Sequence, residues 1–136
     1  MNDCIFCKII AKEIPSTMIY EDNAILAILD LHPVNIGHTL VIPKNHHRNI
    51  FDTPKDIVCA MMAVAQKIAL SIKTSLVSDG INIIMNNELP AGQLIYHTHI
   101  HIIPRYEGDG FAHWKGKRAY EKEELEEIAE KITSAL

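Results

Sequence analysis

Three histidines alternate with other residues in the segment 97–103, whose sequence is His-Thr-His-Ile-His-Ile-Ile. Because successive side chains of a β-strand point to opposite faces, His97, His99 and His101 should share one face and the intervening isoleucines the other. The isoleucines are expected to pack on a core, so the chain has to build a sheet around this strand. The histidine face has three explanations: a solvated polar face, a metal site, or covalent catalysis in which one imidazole attacks while a neighbour assists.

Further apolar runs and one long amphipathic segment surround this strand. Runs of β-branched and apolar residues predict five strands, at 17–20, 24–29, 39–42, 81–85 and 94–103. Apolar residues every three or four positions predict a helix of about six turns, which begins at Thr53-Pro54 with a capping hydroxyl and continues to Leu76. Shorter helices are predicted over 5–11 and from about Leu125 onward. Strands joined as hairpins favour an α+β fold, with a mainly antiparallel sheet and the helices on one side.

The composition is typical of one globular domain covering residues 1–136. Thirteen basic and seventeen acidic residues give a net charge of −4, which argues against a nucleic-acid partner bound through general basicity. The N-terminal residues lack the pattern of a signal peptide, and no uninterrupted apolar run approaches the ~18–20 residues of a membrane helix. Three cysteines, an odd number, do not form a disulfide framework. We therefore expect a cytoplasmic protein without a membrane partner.

The histidine segment and its surroundings resemble the histidine triad (HIT) superfamily. The segment 97–103 matches the family signature His-φ-His-φ-His-φ-φ, in which φ is usually apolar. Ile-Phe-Cys-Lys-Ile-Ile at 5–10, Glu-Ile-Pro at 13–15 and the sequence at 37–44 resemble the Hint and bacterial Hit branch. The tail Ile-Ile-Pro-Arg-Tyr at 102–106 is closer to bacterial Hit proteins than to the Gly-Gly-Arg tail of Hint proteins. The resemblance spans nearly the whole chain.

The resemblance implies an α+β meander that usually forms a homodimer. It also implies a nucleotidyl hydrolase or transferase acting on the α-phosphate of purine nucleotide conjugates, such as phosphoramidates. His99 would be the nucleophile that forms a covalent nucleotidyl-histidine intermediate, which water then hydrolyses. His101 would hydrogen-bond the phosphate or the leaving group, and His97 and His38 would pair behind the nucleophile and orient it. Catalysis would need no cofactor, because the imidazole supplies the nucleophile.

The resemblance also implies a nucleotide site. Asp30 matches the acid that binds the ribose hydroxyls. Asn86 and Gln93 match residues that hold the phosphate and the leaving group. Asn86 has a simpler alternative explanation, because asparagine favours turns. Leu94 stands where many members have a serine whose hydroxyl and N–H reach the phosphate, so we expect retained activity with looser phosphate positioning. An apolar base pocket would be drawn from residues that would otherwise simply be core: Ile5, Phe6, Ile9, Ile14, Ile28 and Leu31.

Two cysteines near the N-terminus suggest a structural zinc site. Cys4 and Cys7 form a Cys-x-x-Cys pair, which alone is weak evidence because such a pair can simply stay reduced. Bacterial Hit relatives bind zinc through such a pair and two histidines. The matching positions here are His46 and His97, with His47 as an alternative ligand. A closed Cys₂His₂ set is structural rather than catalytic.

The two ends of the chain are expected to extend the central domain, as a zinc-bound segment at 1–12 and a C-terminal extension and helix at 106–136. His113 and Trp114 lie in that extension, which in Hit-like proteins can reach toward the partner's active site; a tryptophan packed on a dimer is equally compatible. Two other functions stay open: a zinc-stabilised nucleotide-binding regulatory module with weak activity, and a diadenosine polyphosphate hydrolase. A nucleotide such as AMP would be the ligand or product.

Overall fold

A five-stranded antiparallel sheet organises residues 3–136, the part of the chain described by the computed structural model. Its strands are β1 (Met18–Glu21), β2 (Ile25–Leu29), β3 (Thr39–Pro43), β4 (Gly80–Ile84) and β5 (Ile100–Arg105). The spatial order is β1-β2-β3-β5-β4, and every neighbouring pair is antiparallel. The last strand therefore inserts between β3 and β4. The predicted α+β class and antiparallel sheet are confirmed. The first two residues of the predicted domain 1–136 and of the segment 1–12 lie outside the described residues.

Three α-helices accompany the sheet within residues 3–136, namely α1 (Ile5–Ile10), α2 (Lys55–Ser75) and α3 (Glu124–Thr133). The 21 residues of α2 make about six turns, as its periodicity predicts. The predicted cap is wrong, because Pro54 takes the N-cap position. The Thr53 hydroxyl instead donates to the Asn49 carbonyl at 2.7 Å and lies 2.8 Å from the Thr98 hydroxyl. It thereby joins the start of α2 to the histidine segment.

Alternating strand residues build two cores, one on each face of the sheet. The face covered by α2 contains Ile25, Ala27, Val41, Met61, Val64, Ala65, Ile68, Ile72, Ile100 and Ile102. The opposite face, covered by α1, contains Phe6, Ile9, Leu26, Ile28, Leu40 and Ile42. The two isoleucines of the histidine strand are fully buried against α2, as predicted. The expectation of helices on one side only is wrong, because α1 packs its apolar residues on the second face.

The helix α2 is long and apolar enough, by length and composition, to cross a membrane. Its residues Met61, Ala65 and Ile68 are buried against the sheet, so it serves as the core helix of this fold. Its outer face still exposes Met62 and Leu70. This helix therefore carries a second apolar surface that the described residues leave in contact with solvent.

The histidine strand is shorter than the predicted segment 94–103. The strand β5 begins at Ile100, so the segment 94–99 runs outside the sheet. The Thr98 N–H donates to the His47 carbonyl at 2.7 Å, a contact with a loop rather than with a neighbouring strand. The strict alternation of side chains therefore holds only from residue 100 onward, and it does not fix where the His97 ring points.

Candidate active site and metal centre

His99 is oriented by a backbone carbonyl. Its Nδ1 lies 2.6 Å from the His97 carbonyl oxygen. A carbonyl oxygen can only accept, so Nδ1 carries the proton and Nε2 keeps the lone pair. The ring is buried, with its edge against Phe6 at a centroid distance of 5.1 Å. Burial lowers the pKa of His99. The ring is therefore a neutral imidazole with its lone pair at Nε2, the form that can attack an electrophile.

His38 and His101 form a second chain of hydrogen bonds. The Val34 N–H donates to His38 Nδ1 at 3.1 Å, so neutral His38 carries its proton on Nε2. That Nε2 lies 2.9 Å from Nδ1 of His101, which therefore accepts the bond and carries its own proton on Nε2. Burial, and then the neighbouring histidines, lower the pKa of His101 to about 4, and burial also lowers the pKa of His38. Both rings are therefore neutral near pH 7.

The neighbouring rings of His99 and His101 have opposite hydrogen-bonding polarity. Their centroids lie 4.9 Å apart. The hydrogen bonds at Nδ1 leave a lone pair on Nε2 of His99 and an N–H on Nε2 of His101. One ring can act as a nucleophile while the other donates a proton. This pairing is what group transfer through an imidazole requires.

The expectation that His97 pairs with His38 behind the nucleophile is wrong. The His97 ring is fully buried on the other side of the nucleophile, where its Nε2 donates to the Pro43 carbonyl at 2.8 Å. Its ring nitrogen Nδ1 faces the cysteine sulfur atoms, and its carbonyl accepts the hydrogen bond from His99. The segment before β5 leaves the sheet, which is why the three rings do not form one continuous row.

Four side chains at α1 bring potential metal ligands together. The ligand atoms of Cys4, Cys7, His46 and His97 all lie within 4.8 Å of one another. Nδ1 of His97 is 3.4 Å and 3.6 Å from the two sulfur atoms, and 3.2 Å from Nδ1 of His46. A tetrahedral zinc with ordinary bond lengths separates nitrogen from sulfur by about 3.6 Å and two nitrogens by about 3.3 Å. The four residues therefore fit such an ion.

The hydrogen bond behind His97 supports this role. Its Nε2–H bonds the Pro43 carbonyl, so Nδ1 presents its lone pair to the cluster, as a metal-bound histidine commonly does. His47, the predicted alternative to His46, lies outside this set of four. The His47 carbonyl instead accepts the Thr98 N–H.

A second group, Asp30, His38 and His101, also lies within metal-binding distance. Its hydrogen bonds argue against a metal, because His38 Nε2 carries a proton that it donates to His101. Asp30 lies beside this pair, with one carboxylate oxygen 3.7 Å from His38 Nε2 and the other accepting the His32 N–H. The carboxylate is partly exposed next to the histidines, which is compatible with its predicted contact to ribose.

Gln93 holds the loop before the triad. Its Oε1 accepts the Glu88 N–H at 2.8 Å, and its Nε2 donates to the carbonyls of Arg48 and Ile95. The side chain is 1% exposed. Its amide is engaged by backbone groups, which does not support the predicted contact with phosphate. Leu94, the next residue, is 81% exposed.

Asn86 is half-buried, and its Nδ2 lies 3.5 Å from the Gly92 carbonyl, at the outer limit of a hydrogen bond. Its amide is thus held only weakly within the loop, and its predicted contact with the leaving-group side stays a prediction.

The six residues of the predicted base pocket separate in the structure. Phe6, Ile9 and Ile28 belong to the second core, and Ile14 packs against that core. Ile5 and Leu31 are exposed. The four packed residues therefore belong to the core between α1 and the sheet. Of the six, the exposed pair Ile5 and Leu31 offers apolar surface that a base could cover directly.

A model of the HIT domain matches residues 11–108. The chain belongs to the HIT family. Two relatives show how far the likeness extends. Protein hit of Bacillus subtilis is 44% identical over 138 residues, covering 99% of this chain and 95% of that protein. The adenylylsulfatase HINT3 of Arabidopsis thaliana is 48% identical over 108 residues, covering 79% of this chain and 55% of that protein. The HIT family thus includes a hydrolase.

Solved structures of HIT proteins match the whole fold. A histidine triad nucleotide-binding protein from Candida albicans has a TM-score of 0.87 and 30% identity, covering 98% of this chain and 96% of that chain. A zinc-bound histidine triad protein from Mycobacterium smegmatis has a TM-score of 0.77 and 38% identity, covering 99% of each chain. Nucleotide-binding and metal-bound members therefore share this architecture. The HIT domain match begins at residue 11, after Cys4 and Cys7.

One part of this HIT site was missed by sequence reasoning. Asn35 and Asp109 are hydrogen-bonded to each other at 2.8 Å across 74 residues, beside the loop that carries Val34. Asn35 and Asp109 each lie in an ordinary loop sequence. Because 74 residues separate them, no local pattern predicts their contact. The weak signal is the pair Arg105 and Asp109, whose spacing of four predicts an ion pair only within a helix.

Proposed function

We propose that this HIT protein is a nucleotidyl hydrolase or transferase that attacks the α-phosphate of purine nucleotide conjugates, such as phosphoramidates. The observation that carries this proposal is the opposite polarity of His99 and His101 at Nε2. The similarity to a relative named adenylylsulfatase and to a nucleotide-binding protein supports a nucleotidyl substrate.

The reaction proceeds in two balanced steps through a covalent nucleotidyl-histidine. In the first, Nε2 of His99 forms a bond to phosphorus, the bond from phosphorus to the leaving group breaks, and His101 gives its Nε2 proton to the leaving atom. The His97 carbonyl stabilises the Nδ1–H of the charged ring at 2.6 Å. In the second step water attacks phosphorus, the bond to His99 breaks, and a proton from the water returns to His101. The products are a nucleoside monophosphate such as AMP and the leaving group, and the cycle needs no cofactor.

The nucleotide would lie across the face that carries the histidines. In this proposal Asp30 accepts hydrogen bonds from the ribose hydroxyls. Asn86 holds the leaving-group side, and Leu94 offers only its N–H to the phosphate. The exposed side chains of Ile5 and Leu31 contact the base. Gln93 contributes indirectly, by holding the loop that carries Leu94.

We also propose that Cys4, Cys7, His46 and His97 hold a structural zinc ion. The ligand distances and the hydrogen bond of His97 to Pro43 support it, and the zinc-bound relative adds to that support. When bound, the ion would cross-link α1, the loop after β3 and the histidine segment. These residues take no part in the chemical steps beyond the carbonyl of His97.

We further propose a cytoplasmic homodimer. The outer face of α2 exposes Met62 and Leu70, and the adjacent strand β4 lies at the edge of the sheet and exposes Ile83. A second copy could cover this apolar surface and extend the sheet. Sedimentation of the wild type and of Leu70→Asp tests the interface: the wild type should be a dimer and the variant a monomer. A monomeric wild type would refute it.

The decisive experiment compares His99→Ala with wild type on adenosine phosphoramidate and on diadenosine polyphosphates. His32→Ala, which removes an exposed imidazole, is the matched control. The wild type and control should release AMP and, after rapid quenching in alkaline denaturant, which preserves the acid-labile phosphorus–nitrogen bond, show a mass increase of one adenylyl group; His99→Ala should show neither. Turnover of the dinucleotides alone would favour the diadenosine polyphosphate hydrolase. AMP binding with turnover no greater than that of His99→Ala would favour the regulatory module.

A further inference from the structure

The carboxylate of Asp109 joins several parts of the chain near the end of β5. Its Oδ1 accepts hydrogen bonds from the Arg105 guanidinium at 2.6 Å and from the Phe111 N–H at 3.0 Å. Its Oδ2 accepts from the Tyr106 N–H at 3.0 Å and from Nδ2 of Asn35 at 2.8 Å. Arg105 also lies over the Phe111 ring, 4.8 Å from its centroid. Both oxygens are therefore committed, and the ion pair is largely buried.

Asn35 connects the Asp109 carboxylate to the loop between β2 and β3. The same Nδ2 that contacts Asp109 also donates to the Pro104 carbonyl at 2.9 Å. The Asn35 carbonyl accepts the His38 N–H at 3.0 Å and so closes a turn. One side chain thus ties this turn to β5 at a point three residues after His101.

The residue directly before this turn, Val34, supplies the donor that decides the tautomer of His38. The Val34 N–H lies 3.1 Å from His38 Nδ1, which keeps the proton of His38 on Nε2. If the turn moved, Nδ1 could take the proton, and a lone pair on Nε2 would face Nδ1 of His101. His101 would then protonate at Nδ1, and its Nε2 would lose the proton needed by the leaving group.

We propose that Asn35 and Asp109 are positioning residues that fix this turn, and thereby keep His101 in the tautomer that donates from Nε2. The inference deepens the proposed function and rests on it for its kinetic consequence. It predicts a specific defect: fewer molecules hold the proton donor in the correct form, while the ribose and base contacts remain. The effect should therefore fall on kcat rather than on KM.

Two variants break the anchor at different points. Asp109→Ala removes the carboxylate, and Asn35→Ala removes the tether while leaving the Arg105–Asp109 ion pair in place. Each should lower kcat on adenosine phosphoramidate about 10-fold, since a fully lost general acid costs about 100-fold or more. KM should stay within about 2-fold, and the double variant should be scarcely worse than either single one, because both act on one turn.

The matched control is Asp22→Ala. Asp22 also accepts two backbone N–H groups and one side-chain donor, but on the β1–β2 hairpin at the far edge of the sheet. This variant should lose stability without a change in kcat.

A spectroscopic measurement separates this role from a merely structural one. Nitrogen-15 shifts of labelled histidine should show His38 protonated at Nε2 in the wild type and in Asp22→Ala, and mixed tautomers in the two anchor variants. This measurement needs no turnover, so it still tests the anchor if the proposed function fails. Should Asp109→Ala unfold, Asn35→Ala carries the test. An unchanged His38 tautomer in a folded anchor variant, or a loss of kcat shared by Asp22→Ala, would overturn the proposal.

Discussion

Replacing Gln93 with leucine distinguishes a residue that binds phosphate from one that holds a loop. The family resemblance implies the first role, whereas the structure commits all of its amide hydrogen bonds to the backbone. Leucine has a similar volume but forms no hydrogen bond. The substitution therefore removes three hydrogen bonds, two of them to the carbonyls of Arg48 and Ile95, and leaves the Glu88 N–H without its acceptor.

The three lost bonds set the expected cost. At about 1 kcal/mol each, they predict about 3 kcal/mol of lost stability. Glu88 has a φ of 72°, in the left-handed region that is strained for a non-glycine residue. The loop should therefore tolerate the loss of this hydrogen bond poorly. For a chain of this length each kcal/mol lowers Tm by about 3 °C, so Tm should fall by about 9 °C.

Urea denaturation at one protein concentration and calorimetric titration with AMP measure the two roles separately. Gln93→Leu should lower the free energy of unfolding by about 3 kcal/mol and change the Kd for AMP only a few-fold. Leu94→Ala, in the same loop but exposed, should cost less than about 0.5 kcal/mol. A Gln93→Leu protein that keeps wild-type stability but no longer binds AMP would refute the structural role. It would instead support the phosphate contact implied by the resemblance.

Three other changes test the rest of the site. His46→Ala should lower zinc below one ion per chain in metal analysis and lower Tm, whereas His47→Ala should keep one ion; dialysable, substoichiometric zinc in the wild type would contradict the metal centre. Leu94→Ser should raise kcat/KM on adenosine phosphoramidate by adding a donor to the phosphate, and an unchanged value would show that the hydroxyl is not needed. Because the pKa of His101 is lowered to about 4 from 6.5, the unfolded chain binds more protons at this group, so the contribution of His101 to stability should be constant above about pH 6.5 and fall toward pH 4. His101→Asn should flatten this fall in pH-dependent urea denaturation; an equally steep fall would remove His101 as its source.

The periodic parts of the fold could be predicted from the sequence because their signals are local. The spacing of apolar residues in α2 repeats over 21 residues, and its inward face is the one that packs on the sheet. The alternation of Ile100 and Ile102 likewise predicts the buried face of β5. The start of β5 could not be predicted. Residues before it are drawn out of the sheet by bonds to distant loops, such as the one from Thr98 to His47.

The site was predictable in its residues and less so in their partners. The signature brings His99 and His101 side by side, as expected. The ring of His97, however, turns toward two cysteines that are 93 and 90 residues away in the sequence. Its direction depends on where α1 packs, which no local pattern encodes. The resemblance implies two neighbourhoods for His97, one with the cysteines and one with His38, and the structure supports only the first.

The opposite tautomers of His99 and His101 have separate structural origins. The His97 carbonyl fixes His99, and the cluster of Cys4, Cys7 and His46 contacts the His97 ring that carries this carbonyl. The Val34 N–H fixes His101 through His38. Because these two supports approach from different parts of the fold, damage to one should impair nucleophilic attack and damage to the other should impair proton donation. A leaving group that departs without a proton would depend on the first support alone. For the proposed reaction, we therefore expect the preference among leaving groups to depend on how firmly the loop between β2 and β3 holds His38, as well as on the residues that touch the leaving group.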